Sequence, residues 1–216
     1  MKNILLTGFD PFGEEAINPA TEVTKELAGM KVKNHRIESV EIPTVRNLSI
    51  KVIAEKIAEL KPELVISIGQ AGGRPAISIE RVAINIDDYR IEDNGGNQPV
   101  DQAINPDGPA AYFATLPVKA IVKKLQKAGI PAEVSNTAGT FVCNHLMYGL
   151  LDYLQENGLD IPAGFIHIPF LPEQVIEKPG KASMALSTIK EGILLGLEAA
   201  IENKARDISY QAGKVH

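Results

Sequence analysis

The sequence predicts an α/β protein, a single-domain α/β/α sandwich built on a twisted mixed, mostly parallel sheet. Three observations predict it. Short apolar runs alternate with amphipathic stretches along the chain, an order that places helices on the faces of a parallel or mixed sheet. No repeat, linker or low-complexity break interrupts that alternation across residues 1–216. A chain of 216 residues can bury roughly 70% of its unfolded surface in one core.

The elements follow in order. Residues 2–7 (KNILLT) are a short apolar run ending at Gly8, a buried strand closed by a turn. Asn18-Pro19 supplies a capping side chain and a proline suited to the first helical position; Val23 and Leu27 mark the apolar face, and Gly29 ends the segment. The unit recurs as a strand over residues 36–42, an amphipathic helix over 45–60 stopped by Pro62, and an apolar strand over 64–68. Residues 76–86 form a strand pattern. Residues 87–108, rich in Gly, Asn, Asp and Pro, predict a long loop or hairpin. Thr115-Leu116-Pro117 opens a helix running to Gly129, and residues 132–135 form a short strand. A helix around 141–157, a strand over 164–168 and a long helix from 183 to about 203 complete the pattern.

Composition narrows the function classes. With 44% hydrophobic and 23% charged residues, the chain is too apolar to stay disordered. The net charge of −5, from 22 basic and 27 acidic residues intermixed along the chain, leaves no basic stripe for a phosphate backbone, so no nucleic-acid partner is expected. No run approaches the ~20 apolar residues of a membrane span, and no export signal is visible. A single cysteine cannot form an internal disulfide or a paired-cysteine zinc site. A reducing compartment, and hence a cytoplasmic location, is the expectation.

That cysteine, Cys143, follows Ala138-Gly139-Thr140-Phe141-Val142, after a strand and at the opening of a helix whose expected cap is Thr140. In a first helical turn, unpaired N–H groups and the positive end of the helix dipole favour thiolate, lowering a pKa that is ordinarily ~8.5. The same N–H groups can hold an oxyanion. A cysteine nucleophile needs a base, and there are four histidines, His35, His145, His167 and His216. Two helical residues are ~200° of rotation, which points His145 away from Cys143. His216 is terminal, and His35 falls in a polar turn. His167, near the end of the strand after the cysteine's helix, lies where α/β sites form.

A carboxylate should fix the imidazole. In residues 76–86 the apolar phase switches at Glu80-Arg81: odd positions are apolar before it, even ones after. That slip predicts a bulge, a feature that re-aims side chains near active sites and makes Glu80 the candidate; an exposed Glu-Arg surface pair is the other reading. Phe9 and Phe12 stand in a turn directly after a strand, either as a pocket lid or as a small satellite core. Residues 69–74 (GQAGGR) fit either a phosphate nest with an arginine or a tight turn with a close backbone approach.

Three segments together resemble the type I pyroglutamyl peptidases: Thr7-Gly8-Phe9-Asp10-Pro11-Phe12-Gly13, the stretch from Gly69 through Gly72 to Asn85, and Ser135 to Asn144 with Tyr148 one turn beyond. The resemblance spans essentially the whole chain. It implies a triad of Glu80, Cys143 and His167. It further implies that Phe9 and Phe12 flank the lactam ring, with Phe141, Val142 and Ile91 completing the pocket, Gln70 as a polar substrate contact and Arg90 as an oxyanion donor beside the Cys143 N–H. Pyroglutamyl peptides are the expected substrate, no cofactor or metal is required, and the family's habit suggests a homotetramer. Two other readings compete: a nucleoside-phosphorylase-like transferase, and a non-enzymatic small-molecule binding module with an inert cysteine.

Overall fold

A computed structural model describes residues 1–204 and 206–213. The chain runs β1 (Lys2–Phe9), α1 (Pro19–Leu27), β2 (Lys31–Val32), β3 (His35–Ile42), α2 (Leu48–Leu60), β4 (Leu64–Gln70), β5 (Ile77–Glu80), β6 (Val82–Ile84) and β7 (Ala111–Phe113). It continues through α3 (Val118–Lys127), β8 (Ala132–Ser135), α4 (Val142–Glu156), β9 (Ala163–Ile168), a 3₁₀ turn (Pro172–Val175) and α5 (Leu186–Glu202).

Seven strands form one sheet in the order β2-β3-β1-β4-β9-β5-β8. The strands β3, β1, β4 and β9 are mutually parallel, as are β5 and β8, while β2 joins β3 and β5 joins β9 antiparallel. Both faces are covered, which is why the central strands are continuous apolar runs. On one face Ile4, Leu6, Ile66, Ile68, Ile77, Ile79, Ile166 and Ile168 pack under α1, α3 and α5. On the other, Leu5, Phe9, Val65 and Phe165 pack under α2 and α4. The α/β/α sandwich with a mixed, mostly parallel sheet is therefore the observed architecture.

Local chemistry places the elements as the sequence suggests, with informative exceptions. Asn18 caps α1, its side chain accepting from the Ala20 N–H at 3.0 Å, with Pro19 following. The phase slip at Glu80-Arg81 marks no bulge. The chain leaves the main sheet there, and β6 pairs with β7 in a separate two-stranded ribbon packed on α4, so the two strands bury different faces. Thr140 does not cap α4. The cap is Phe141, while the Thr140 hydroxyl donates to the Asp88 carbonyl at 2.7 Å and the Thr140 carbonyl accepts from the Asp88 N–H at 3.1 Å. Nor does His35 lie in a turn: it opens β3 and is buried, with Nε2 3.5 Å from Glu63. His216 lies outside the described residues.

Candidate active site

The site forms where α4 begins above the end of β4 and β9. Gly69 and His167 are partners in the β4–β9 register, and Phe165 shares their face two residues earlier. A Cβ on Gly69 would stand 2.7 Å from Cζ of Phe165 and 3.0 Å from Sγ of Cys143. The bare glycine thus leaves room for the thiol to lie over the sheet beside the strand position that carries His167. Gly139, with φ of +81°, turns the chain between β8 and α4 in the left-handed region that glycine enters without cost.

The third group arrives from β5. Antiparallel pairing sets Ser78 opposite His167, and Glu80, two residues on, faces the same side. Its Oε1 lies 2.7 Å from Nδ1 of His167. Glu80 is fully buried, so the exposed surface-pair reading fails. Its cationic neighbour is Arg74, whose Nη1 donates to the same Oε1 at 2.7 Å, and not the adjacent Arg81. Residues 69–74 accordingly form a turn with a close approach: Gly73 has φ of +97°, and a Cβ on Gly72 would meet the Phe170 ring at 2.3 Å. The arginine faces inward, toward Glu80 and the Thr137 carbonyl.

Electrostatics assign the protons. Burial alone would raise the Glu80 carboxyl, but hydrogen bonds from His167 and Ser135 and the charge of Arg74 hold it below its ordinary range. A carboxylate only accepts, so the 2.7 Å contact places the proton of a neutral imidazole on Nδ1 and leaves Nε2 as the acceptor. Burial drives the His167 imidazole below its ordinary range, more than Glu80 restores, and Arg74 adds to the lowering. Burial, aided by the Glu80 charge, pushes the Cys143 thiol up to about 12 against the opposing effect of Arg74. The expectation of a lowered thiol pKa is not met: burial in this site favours the neutral forms of both the thiol and the imidazole. The helix end does leave its amides free, because Phe141 offers no capping side chain to the first turn.

The expected pocket residues divide. Phe12 and Phe141 are half-buried, with ring centroids 5.9 Å apart. Tyr89, unremarked in the sequence, packs edge-on against Phe141 at 4.7 Å. Phe9 is a core residue, 2% exposed, with its ring 6.2 Å from that of Phe165. Val142 is fully buried in the same core, so its side chain is no pocket wall. Gln70 is nearly buried; its Oε1 accepts from Gln174 Nε2 at 2.9 Å. Arg90 and Ile91 are exposed in the irregular segment that follows Tyr89.

That segment is held firmly. Asp87 and Gln102 exchange backbone hydrogen bonds, and Tyr89 N–H donates to the Pro99 carbonyl at 2.8 Å. Asp87 is buried and accepts from Arg46 Nε at 2.7 Å, and its Oδ2 lies 2.9 Å from Nδ1 of His145. His145 Nε2 in turn accepts the Asn47 N–H at 2.9 Å. This histidine faces away from the thiol, as the helical rotation requires, and ties α4 to the segment carrying Arg90 and Ile91. Neither Arg74 nor the Asp87–His145 pair was signalled by spacing. A buried carboxylate's need for a cationic partner is the only general clue, and it does not say which arginine answers.

The chain is similar to known proteins along nearly its whole length. A profile described as pyroglutamyl peptidase matches residues 2–203. A pyrrolidone-carboxylate peptidase of Bacillus cereus (strain AH820) is 62% identical over 216 residues, covering 100% of both chains, and one of Bacillus mycoides (strain KBAB4) is 58% identical over the same span. Among solved structures, pyroglutamyl peptidase I of Bacillus amyloliquefaciens superposes with a TM-score of 0.94 at 47% identity, covering 97% of this chain and 99% of that one. The pyrrolidone carboxyl peptidase of Thermococcus litoralis does so with a TM-score of 0.93 at 38% identity, covering 97% and 99%. With a sheet, a buried Glu-His pair and a cysteine at a helix start already in place, these matches extend over nearly the whole chain: it belongs to the pyroglutamyl peptidase family.

Proposed function

We propose that this chain hydrolyses the bond following an amino-terminal pyroglutamyl residue, acting as a cysteine exopeptidase through a thioester. The observation that carries the reading is the 2.7 Å contact between His167 Nδ1 and Glu80, which leaves Nε2 of a neutral ring free as a base, on the strand position whose partner, Gly69, lies under the Cys143 thiol. Cys143 Sγ attacks the pyroglutamyl carbonyl as its proton passes to His167 Nε2, the general base of the pair. The oxyanion is met by the uncapped first-turn amides of α4, with Arg90 as an added donor. The imidazolium protonates the leaving amine. Neutral again, it then takes a proton from water, which attacks the thioester, and returns it to the departing Cys143 sulfur as pyroglutamate is released. Glu80 fixes the tautomer and stabilises the transient imidazolium.

A compact, uncharged lactam suits the aromatic wall of Phe12 and Phe141, which Tyr89 backs from the core, better than a charged amine would. Engagement of Arg74 with Glu80 and Thr137 counts against the phosphate-binding reading. The test is turnover of a chromogenic pyroglutamyl amide by wild type and by Cys143→Ala. Wild-type turnover that Cys143→Ala or thiol alkylation abolishes is expected. An inactive wild type, or an equally active variant, overturns the proposal.

A further inference from the structure

We infer that Arg74 is a positioning residue of the catalytic centre, a fourth member that locks Glu80 against His167 and holds the imidazole in its basic form. The inference rests on the triad proposed above and adds to it a residue that acts through Glu80.

The geometry is specific. Arg74 Nη1 and His167 Nδ1 both reach the same oxygen, Oε1 of Glu80, each at 2.7 Å. The other oxygen, Oε2, is buried without a hydrogen-bond partner. The hydrogen bonds from Arg74 and His167 thus converge on one atom, and rotation of the carboxylate would carry Oε1 away from both partners at once. Arg74 is itself anchored: Nη2 donates to the Thr137 carbonyl at 3.0 Å, and Nη1 also lies 3.3 Å from Ser135 Oγ. Those anchors sit at the end of β8 and in the turn before α4, so one guanidinium joins the loop after β4, the strand bearing Glu80 and the approach to Cys143.

Charge gives the arrangement its consequence. A buried carboxylate with only a neutral imidazole beside it would draw a proton onto that imidazole and convert the base to its inactive form. A cation on the far side of the carboxylate opposes this. The charged groups acting on His167 are Glu80 from β5 and Arg74 from the loop before it; Glu133 on β8 meets Ser78, the register partner of His167. Among these, Arg74 supplies the positive charge. Its lowering of the imidazole agrees in sign.

Three variants separate its roles. Arg74→Lys keeps charge, Arg74→Gln keeps a donor, and Arg74→Met keeps neither. Each is assayed for kcat and KM across pH, and the His167 ring is titrated by NMR in the folded protein, which gives a reading even where turnover is lost. Arg74→Gln and Arg74→Met should raise the His167 titration and the acid limb of kcat/KM by about one pH unit, the effect of removing a near charge. Arg74→Met should also lower kcat about tenfold with KM within about twofold, and Arg74→Lys should leave the limb near its wild-type position. A His167 titration unchanged in Arg74→Met overturns the inference, whether or not kcat falls, since lost turnover alone would mark a merely structural contact. Failure of the triad would show differently, as wild-type turnover by Glu80→Gln or His167→Ala.

Discussion

Gly69→Ala isolates the requirement that the thiol lie directly on the sheet. Gly69 is an ordinary strand residue without a positive φ, so alanine meets no backbone strain and the methyl group alone is tested. That methyl would stand 2.7 and 2.9 Å from Cζ and Cε1 of Phe165 and 3.0 Å from Sγ of Cys143, where ordinary carbon contacts lie at about 3.5–4.0 Å. The Phe165 ring cannot withdraw freely. It is fully buried, with the His167 ring at 4.8 Å and the Phe9 ring at 6.2 Å. Overpacking of this kind costs about 1–3 kcal/mol, or about 2–12 °C in Tm for a chain of this size. The thiol is half-buried and so yields more easily, and a nucleophile displaced by about 1 Å loses about 100-fold in rate. Calorimetry, kcat/KM on a pyroglutamyl amide and the rate of iodoacetamide alkylation read the two effects separately. A Gly69→Ala protein that melts within about 1 °C of wild type and turns over normally would refute the placement of the thiol against β4.

Gly196→Ala is the matched control: its Cβ would come no closer than 3.4 Å, to Ile121 Cγ2, so helix propensity should raise stability by up to about 1 kcal/mol, seen as a higher urea midpoint. Because His167 is held below its ordinary range, the acid limb of kcat/KM should fall below the ~6.5 of a free imidazole; a limb above 7 would contradict this. The same shift makes the unfolded chain the better proton binder between its pKa of ~6.5 and the lower folded value. Stability should therefore decline as pH falls through that window, and urea midpoints for wild type should show a steeper decline than those for His167→Gln. Asp87→Ala leaves Arg46 and His145 without their shared buried acceptor and should cost about 3–5 kcal/mol, together with a raised KM; a loss below 1 kcal/mol with unchanged KM would show that the pair does not hold the Arg90–Ile91 segment.

Much of the fold was legible because its layers leave direct marks on the chain. Both faces of the central strands are covered, so they are predominantly apolar on both sides, and Asn18-Pro19 announces a helix start that depends only on neighbouring backbone. The exceptions share a cause, which is dependence on distant partners. The strand Lys31–Val32 exists because β3 offers it an edge, and β7 because β6 has left the main sheet. The change of sheet at Arg81 did leave a mark, a reversal of apolar phase, but a bulge and a departure produce the same local pattern. Thr140 illustrates the same ambiguity: its hydroxyl suits a helix cap and serves instead to hold Asp88.

The proposed catalytic residues were legible for a different reason from the residues that support them. Cys143 and His167 lie at the ends of regular elements, where topology restricts what they can meet. By contrast, Phe9 and Val142 were assigned to the pocket although their side chains lie in the core, because a resemblance gives positions without directions. Direction is what the start of α4 makes plain. Cys143 faces the sheet; Asn144 accepts the Ile84 N–H and donates to the Ile84 and Ile86 carbonyls; His145 meets Asp87. Three successive residues, rotated by ~100° each, thus fix the nucleophile, the ribbon strand β6 and the segment bearing Arg90 and Ile91 to one turn of helix. A displacement of that turn moves the thiol and the loop together. Substitutions at Asn144 should accordingly disturb kcat and KM jointly, whereas those at Arg74 should disturb kcat and the pH limb alone.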